Sequence, residues 1–288
     1  MKTRLIGDIP VSAIGLGGMP MSIEGRPDEA RSVATIHAAL DAGITLIDTA
    51  DAYRLPGEAE SHNEVLIAKA LRSYSGDTSK VLVATKGGHH RTKVQQGPWE
   101  QNGHPDYLKR AAEASLKALG VDAIGLYQFH RPDRNVDYAE SVGAIRELLD
   151  DGKIRMAGIS NANPAQIRLA QEILGGRLVS VQNQFSPSFR SSEPELNLCT
   201  ELDIAFLPWS PLGGMNGAAS LGARFAKFQR VADARGVSPQ VVCLAWELAK
   251  GPTVIPIPGA SRPESILDSA TASELELTAD EFDGLDAG

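Results

Sequence analysis

Cysteine is scarce. Cys199 and Cys243 are the only two in 288 residues. Two thiols cannot staple a chain of this length, so a disulfide framework is excluded and a reducing compartment fits. Long apolar runs are also missing: none approaches the ~18–20 residues of a spanning helix. The opening MKTRLIGDIP has two basic residues but no apolar stretch of the kind a secretory signal needs. The expectation is a cytoplasmic protein with no membrane partner. Bases are the minority, 28 Lys+Arg against 36 Asp+Glu, a net charge of −8. A nucleic-acid binder needs the opposite balance on at least one face, so no nucleic-acid partner is expected. Aromatics make up only 5%, but hydrophobic residues reach 42% and charged residues 22%, enough aliphatic material for a large core and too much for a disordered chain.

What is present is alternation. Apolar runs predict strands over 13–16, 44–48, 81–85, 123–128, 154–159, 179–182, 205–208 and 254–257. Runs such as ITLID, VLVAT and AIGLY are too uniformly apolar for a half-exposed sheet and read as parallel strands buried on both faces. Amphipathic stretches predict helices over 28–42, 60–73, 105–119, 137–150, 164–174, 193–202, 222–235 and 239–249. Pro at the start and Gly past the end recur among them. A doubly wound open sheet shares this pattern. The unbroken alternation and the lack of a polar linker favour an α/β fold of the (β/α)8 TIM-barrel type, with residues 1–288 as a single domain. A short hairpin, 3–6 and 9–11, would plug the barrel floor. Thr278 and Glu281 have capping-box spacing and predict a last short helix.

In such a barrel, chemistry sits at the C-terminal ends of the strands. Polar residues do stand just after the apolar runs: Asp48, Lys86, His130, Ser160, Asn161, Gln182 and Trp209 with Ser210. Four groups near these ends make a coherent set: the Asp48 acid, the Tyr53 phenol, the Lys86 amine and the His130 imidazole. A phenol with a pKa near ~10 is a poor acid at neutral pH. A neighbouring ammonium is expected to lower that value, a carboxylate to hold the ammonium, and a His to hydrogen-bond a carbonyl oxygen.

These residues lie in seven motifs: LIDTADAY (46–53), ATKGG (84–88), LYQFHRPD (126–133), GKIRMAGISN (152–161), VQNQFS (181–186), WSPLGG (209–214) and VIPIPGASR (254–262). In content and order they resemble the aldo-keto reductase superfamily over nearly the whole chain. The resemblance implies an NAD(P)H-dependent reductase converting aldehydes or ketones to alcohols. Tyr53 would be the general acid, Lys86 would depress its pKa, Asp48 would pair with Lys86, and His130 would orient the carbonyl. Gly18 and Met19 would line the site from the first loop. Ser160, Asn161 and Gln182 would bind the nicotinamide carboxamide, and Trp209 would stack on its ring. Ser210, Pro211, Leu212 and Gly214 would cradle the pyrophosphate. Ile257, Gly259, Ser261 and Arg262 would complete the cofactor site. The last loop departs from the pattern of many members: Gly259 and Ala260 replace a basic residue and Ser, Ser265 replaces a later Arg, and Asp268-Ser269 replace Glu-Asn. Ser261 and Arg262 are placed against a 2′-phosphate, so NADPH is the reading, with NADH left open. A cofactor-sensing, non-catalytic subunit of a larger assembly is the alternative function. As an enzyme the chain is expected to act as a monomer or weak oligomer.

Other features are read more plainly. GLGG (15–18) is not a Rossmann fingerprint, because position 20 is Pro where a helix-opening Gly is needed. Its glycines would instead permit close backbone approach. His89 and His90 with His104 raise the question of zinc, but adjacent histidines rarely converge on one ion without carboxylate or thiolate ligands, no HxH follows the first strand, and no metal is expected. Segment 87–104 has no clear periodicity. It follows the Lys86 strand, so His89, Arg91 and Trp99 are expected to shape a substrate pocket. Cys199 and Cys243 read as packing residues. Arg224, Lys227 and Arg230 read as the solvated face of one helix.

Overall fold

The fold was analysed in a computed structural model that describes residues 1–58, 61–91, 99–214 and 217–287. The chain opens with an antiparallel hairpin, β1 (Thr3–Ile6) and β2 (Ile9–Ser12). Seven parallel strands follow in barrel order: β3 (Leu16–Gly17), β4 (Leu46–Asp48), β5 (Leu82–Gly87), β8 (Ile124–Phe129), β9 (Ile154–Ser160), β10 (Leu178–Gln182) and β11 (Ala205–Phe206). The helices wrapped around them are α1 (Glu29–Asp41), α2 (His62–Ser73), α3 (Pro105–Leu119), α4 (Tyr138–Asp150), α5 (Pro164–Ile173), α6 (Glu193–Glu201), α9 (Pro239–Ala249) and α10 (Pro263–Thr271). This is the (β/α)8 barrel that the alternation predicts. The start of the predicted helix 60–73 falls on Glu60, outside the described residues.

The eighth strand, predicted over 254–257, is reduced to two parallel bridges, Phe206 with Val254 and Gly17 with Gly259. The reason is proline. Ile255 and Ile257 donate their N–H groups to Phe206 and Pro208 on one side, but Pro256 and Pro258 have no N–H to offer the other side. There the two prolines only accept, from the N–H groups of Gly15 and Gly17, and the segment donates to that side only at Ala260, to the Gly17 carbonyl. Both glycines are required by the closeness of the seam. A Cβ at Gly15 would stand 2.9 Å from Ile257 Cγ2, and one at Gly17 2.9 Å from the Ile257 carbonyl oxygen. GLGG thus serves barrel closure.

Strand period sets the layers. Leu46, Leu82, Ala84, Leu126, Met156, Leu207 and Ile255 point inward and pack with Ile6 and Val11 of the hairpin, which plugs the floor. The intervening Ile47, Tyr127, Phe129, Ile159, Val181 and Phe206 face the helices. Continuing the inward rows upward by two or four residues reaches Asp48, Lys86, His130, Ser160 and Trp209. The chemistry therefore stands on the same face as the barrel core, one layer higher.

Three elements depart from the sequence expectation. The helix predicted over 222–235 breaks at Phe225 into α7 (Leu221–Arg224) and α8 (Ala226–Arg235). Phe225 leaves helical backbone (φ −128°, ψ 79°) and its ring meets Phe228. Arg224, Lys227 and Arg230 are exposed but do not share one helix. Helix α10 is not foreseen. Segment 87–104 contains a second antiparallel hairpin, β6 (His89–Arg91) with β7 (Trp99–Gln101), overhanging the barrel mouth. The C-terminal α11 (Ala279–Asp286) begins with the expected capping box of Thr278 and Glu281. Both cysteines are buried, and no helix among the described residues is long and apolar enough to cross a membrane.

Candidate active site

Asp48 ends β4, and Tyr53 lies five residues on in the loop that follows. Lys86 is near the end of β5, and His130 directly follows β8. The register brings them together: Asp48 lies beside Ala84, and Lys86 beside Gln128. The Lys86 ammonium is wholly buried and donates to Asp48 Oδ2 at 2.7 Å, to the Thr49 carbonyl at 2.7 Å and to the Tyr53 hydroxyl at 3.3 Å. Asp48 Oδ1 accepts from the Gln182 side-chain amide at 2.7 Å. The His130 ring meets the Tyr53 ring edge-on, centroids 5.9 Å apart.

The electrostatics follow from burial and pairing. Burial works against the Lys86 ammonium, but Asp48 and Tyr53 outweigh it and hold its pKa above the usual lysine value. The Tyr53 phenol is raised, chiefly by burial, with Asp48 acting the same way. Lys86 pulls it down, as expected for a neighbouring ammonium, but does not prevail. Desolvation, with Lys86, His89 and Arg131 close by, pushes His130 well below its ordinary value and leaves it neutral. His89 is lowered to about 4, mainly by burial.

Asp48, Tyr53, His89 and His130 form part of the wall of a cavity of about 920 Å³ across the barrel mouth. Most of the anticipated cofactor residues also line it: Met19, Asp48, Ser160, Asn161, Gln182, Trp209, the 210–214 loop, Ile257, Gly259, Ser261 and Arg262. Gly18 is the exception. It is turned against Asn63 and Asp48, donating to the Asp48 carbonyl at 2.8 Å, and Gly17 lines the cavity in its place. Lys86 lies behind Asp48 and Tyr53, away from the opening.

Of the residues anticipated for a substrate pocket, His89 and Trp99 line the cavity and Arg91 does not. His89 stacks on Trp99 at 4.9 Å and meets His130 edge-on at 4.8 Å. The buried Arg91 guanidinium also packs over the Trp99 ring, 4.7 Å from its centroid. It pairs with Glu24 and donates to the Arg54 carbonyl at 2.8 Å, while Arg54 donates to the Arg91 carbonyl at 3.0 Å. This exchange clips the loop after Tyr53 to the hairpin carrying His89. With both terminal nitrogens engaged by Glu24 and the Arg54 carbonyl, the Arg91 guanidinium is held away from the cavity. His90 pairs with Glu100 and His104 caps α3, so the three histidines do not converge.

Sequence reasoning leaves unassigned several residues that line the cavity, among them Pro20, Gln101, Arg131 and Glu264. Arg131 lies within a quoted motif, next to His130. Glu24 and Arg54 carry no local signal at all.

The cavity is polar where a nicotinamide dinucleotide would need it to be. Trp209 Nε1 and His130 Nδ1 are buried without hydrogen-bond partners among the described residues. Asn161, with left-handed backbone (φ 57°), donates to Ser160 Oγ and to the His130 carbonyl. The loop after β11 carries left-handed backbone at Ser210 (φ 53°), Gly213 (φ 85°) and Gly214 (φ 84°), a turn geometry suited to an anion. In barrel enzymes phosphate frequently sits on the loops after strands seven and eight. Arg262, after the eighth segment, is the cation at that end, its Nε donating to Ser265 Oγ at 2.7 Å.

The Aldo/keto reductase family model matches residues 13–287. A 6-dehydroglucose reductase of Novosphingobium aromaticivorans is 34% identical over 273 residues, 92% of this chain and 87% of that one. Among solved structures, the glycerol dehydrogenase of Gluconobacter oxydans is 29% identical with a TM-score of 0.84, covering 99% of this chain and 94% of the other. An aldo-keto reductase of Klebsiella pneumoniae in complex with NADPH is 25% identical with a TM-score of 0.80, covering 100% and 95%.

Proposed function

Since the chain belongs to the aldo/keto reductase family, we propose that it reduces an aldehyde or ketone to an alcohol with a nicotinamide cofactor, NADPH in preference to NADH. The observation that carries this reading is the Asp48–Lys86–Tyr53 chain of hydrogen bonds ending beside neutral His130 on the cavity wall. The residues present fit the cofactor. Trp209, Ser160, Asn161 and Gln182 would hold the nicotinamide, the 210–214 loop the pyrophosphate, and Ser261 with Arg262 the adenosine phosphate. When bound, the cofactor supplies a hydride to the carbonyl carbon.

The chain's own residues do the rest. His130, kept neutral, donates a hydrogen bond to the carbonyl oxygen and fixes its orientation. Tyr53 gives its hydroxyl proton to that oxygen as negative charge develops there. Lys86 stabilises the phenolate left behind, and Asp48 with Gln182 holds Lys86 in place. The raised pKa keeps Tyr53 in its donor form at neutral pH, which suits the reductive direction.

The test is a fluorescence titration with NADPH and NADH, then a panel of carbonyl compounds at fixed cofactor. Tyr53→Phe is expected to bind cofactor like the wild type and to lose about 10²–10⁴-fold in turnover, the usual contribution of a positioned acid. A near wild-type rate would remove Tyr53 from its role.

A further inference from the structure

Among the described residues two cations line the cavity, and they stand at opposite sides of the barrel mouth: Arg131 follows the fourth barrel strand, Arg262 the eighth segment. Arg262 lies on the side assigned to the dinucleotide. Arg131 lies on the other side, with His89, Trp99, Gln101 and His130. There the half-buried guanidinium has no carboxylate partner among the described residues, and its buried Nε makes no hydrogen bond. Its neighbours cannot neutralise it. His89 and His130 are neutral, and Asp48 is committed to Lys86 and Gln182. The other lining carboxylates, Glu264 and Asp268, belong to α10 on the far side.

A partly desolvated cation without a counter-ion is unfavourable unless something supplies the charge. We infer that Arg131 binds a carboxylate on the substrate, so that the preferred carbonyl compound is an aldehyde or ketone that also bears a carboxylic acid. The inference rests on the reductase reading above and names its substrate class. A guanidinium presents a planar fork of donors that a carboxylate matches bidentately. One cation balances one negative charge, which favours a carboxylate over a doubly charged phosphate ester. Arg131 immediately follows His130, so one chain segment would hold the carboxylate and orient the carbonyl oxygen. The His89–Trp99 stack supplies the apolar wall alongside. Against a protein of net charge −8, this local cation is what would admit an anionic substrate.

The experiment compares three aldehydes of one shape: 4-carboxybenzaldehyde, its neutral carboxamide and 4-formylphenyl phosphate. The wild type is expected to favour the carboxylate over the carboxamide by about 10–100-fold in kcat/KM, mainly through KM, as for a hydrogen bond to a charged group. In Arg131→Met that ratio falls to about one, and Arg131→Lys restores part of it. A second measurement needs no variant: benzoate should inhibit benzaldehyde reduction competitively at concentrations where benzamide does not. A carboxylate-to-carboxamide ratio near one in the wild type overturns the assignment and leaves the reductase reading standing. The same holds for a ratio unchanged in Arg131→Met, or for a stronger preference for the phosphate ester. A protein that reduces no member of the panel with either cofactor overturns both.

Discussion

Asp48→Asn is a nearly isosteric change that removes one charge and exposes the energetics of the site. Lys86 is wholly buried, and among the described residues Asp48 is the carboxylate it pairs with, at 2.7 Å. Coulomb's law at that distance with an effective dielectric of ~20 gives about 6 kcal/mol as an upper bound. Stripping one partner from a buried pair typically costs about 3–5 kcal/mol, because the other charge stays buried and unpaired. At about 2.1 cal/mol/K of unfolding entropy per residue, 288 residues lose roughly 0.6 kcal/mol per degree, so Tm should fall by about 5–8 °C at pH 7. The pH dependence carries a second signature. In the wild type the Lys86 pKa is raised, so its contribution is fully present below the unfolded value near ~10.4 and is lost as pH rises through the folded value. In the variant, burial is no longer outweighed, and the folded value drops below the unfolded one. The unfolded chain then binds more protons between the two values, so the variant gains stability as pH rises through that window. Thermal melts of both proteins from pH 6 to 10 test this. A Tm within a degree of wild type throughout, or a variant that weakens with rising pH over that range, would refute the reasoning.

Two further outcomes follow from the hairpin over the mouth. The folded pKa of His89 is depressed to about 4, so the neutral ring contributes stability above its ordinary value that is lost as pH falls from about 6.5 to 4. His89→Gln should flatten that part of an acid denaturation curve, and an unchanged slope would show that His89 ionises freely in the fold. Arg91→Met removes the pair with Glu24 and the bond Arg91 donates to the Arg54 carbonyl, half of the clip, while the largely exposed Glu24 returns to water. With the His89–Trp99 wall loosened, kcat/KM should fall about tenfold, mostly through KM, with the Tyr53-dependent pH profile in place, and Arg91→Lys should recover part of the loss. A kcat loss with KM constant would mean that Arg91 acts on the chemistry instead.

What the sequence reveals of the fold and the site depends on how local the signal is. The strand rows are legible because alternate residues share a face: Leu46 implies Asp48, Ala84 implies Lys86, and Leu207 implies Trp209 on the inward side. Helices α3 and α9 lie where their Pro starts place them. The eighth strand is legible as an apolar run, but its two prolines halve its ladder. Helix α10 is short, and only Ile266, Ser269 and Ala270 are buried, a weak periodic signal. The β6–β7 hairpin is illegible because HHR and WEQ carry almost no strand preference. Stacking and the Arg91 clip connect it to the rest of the mouth instead. Whether an arginine is paired is a tertiary property. Arg91 reads as a pocket residue and proves to be paired with Glu24, while Arg131, given no role from sequence, faces the cavity without a carboxylate partner among the described residues.

The same logic bears on why Lys86 is buried at all. A buried ion pair is weak support for a fold, since apolar side chains of similar volume often stabilise as well or better. Leu126 and Met156 fill the layer just beneath without any charge. The arrangement makes sense for what it does to Tyr53. A buried phenol with only Asp48 nearby would resist ionising, because burial and the carboxylate both disfavour the phenolate. The ammonium at 3.3 Å is the group that hydrogen-bonds that oxygen and lowers the energy of the phenolate, with Arg131 acting in the same direction from further off. It is most useful when the proton leaves, since its attraction grows as negative charge develops on the phenol oxygen. Before that moment the phenol stays protonated. Asp48 keeps the ammonium charged and in place, and Gln182 and the Thr49 carbonyl fix the geometry from two further sides. On the proposed reading the site holds a proton until a developing oxyanion takes it, and the cost of the buried charges falls on the stability that Asp48→Asn measures.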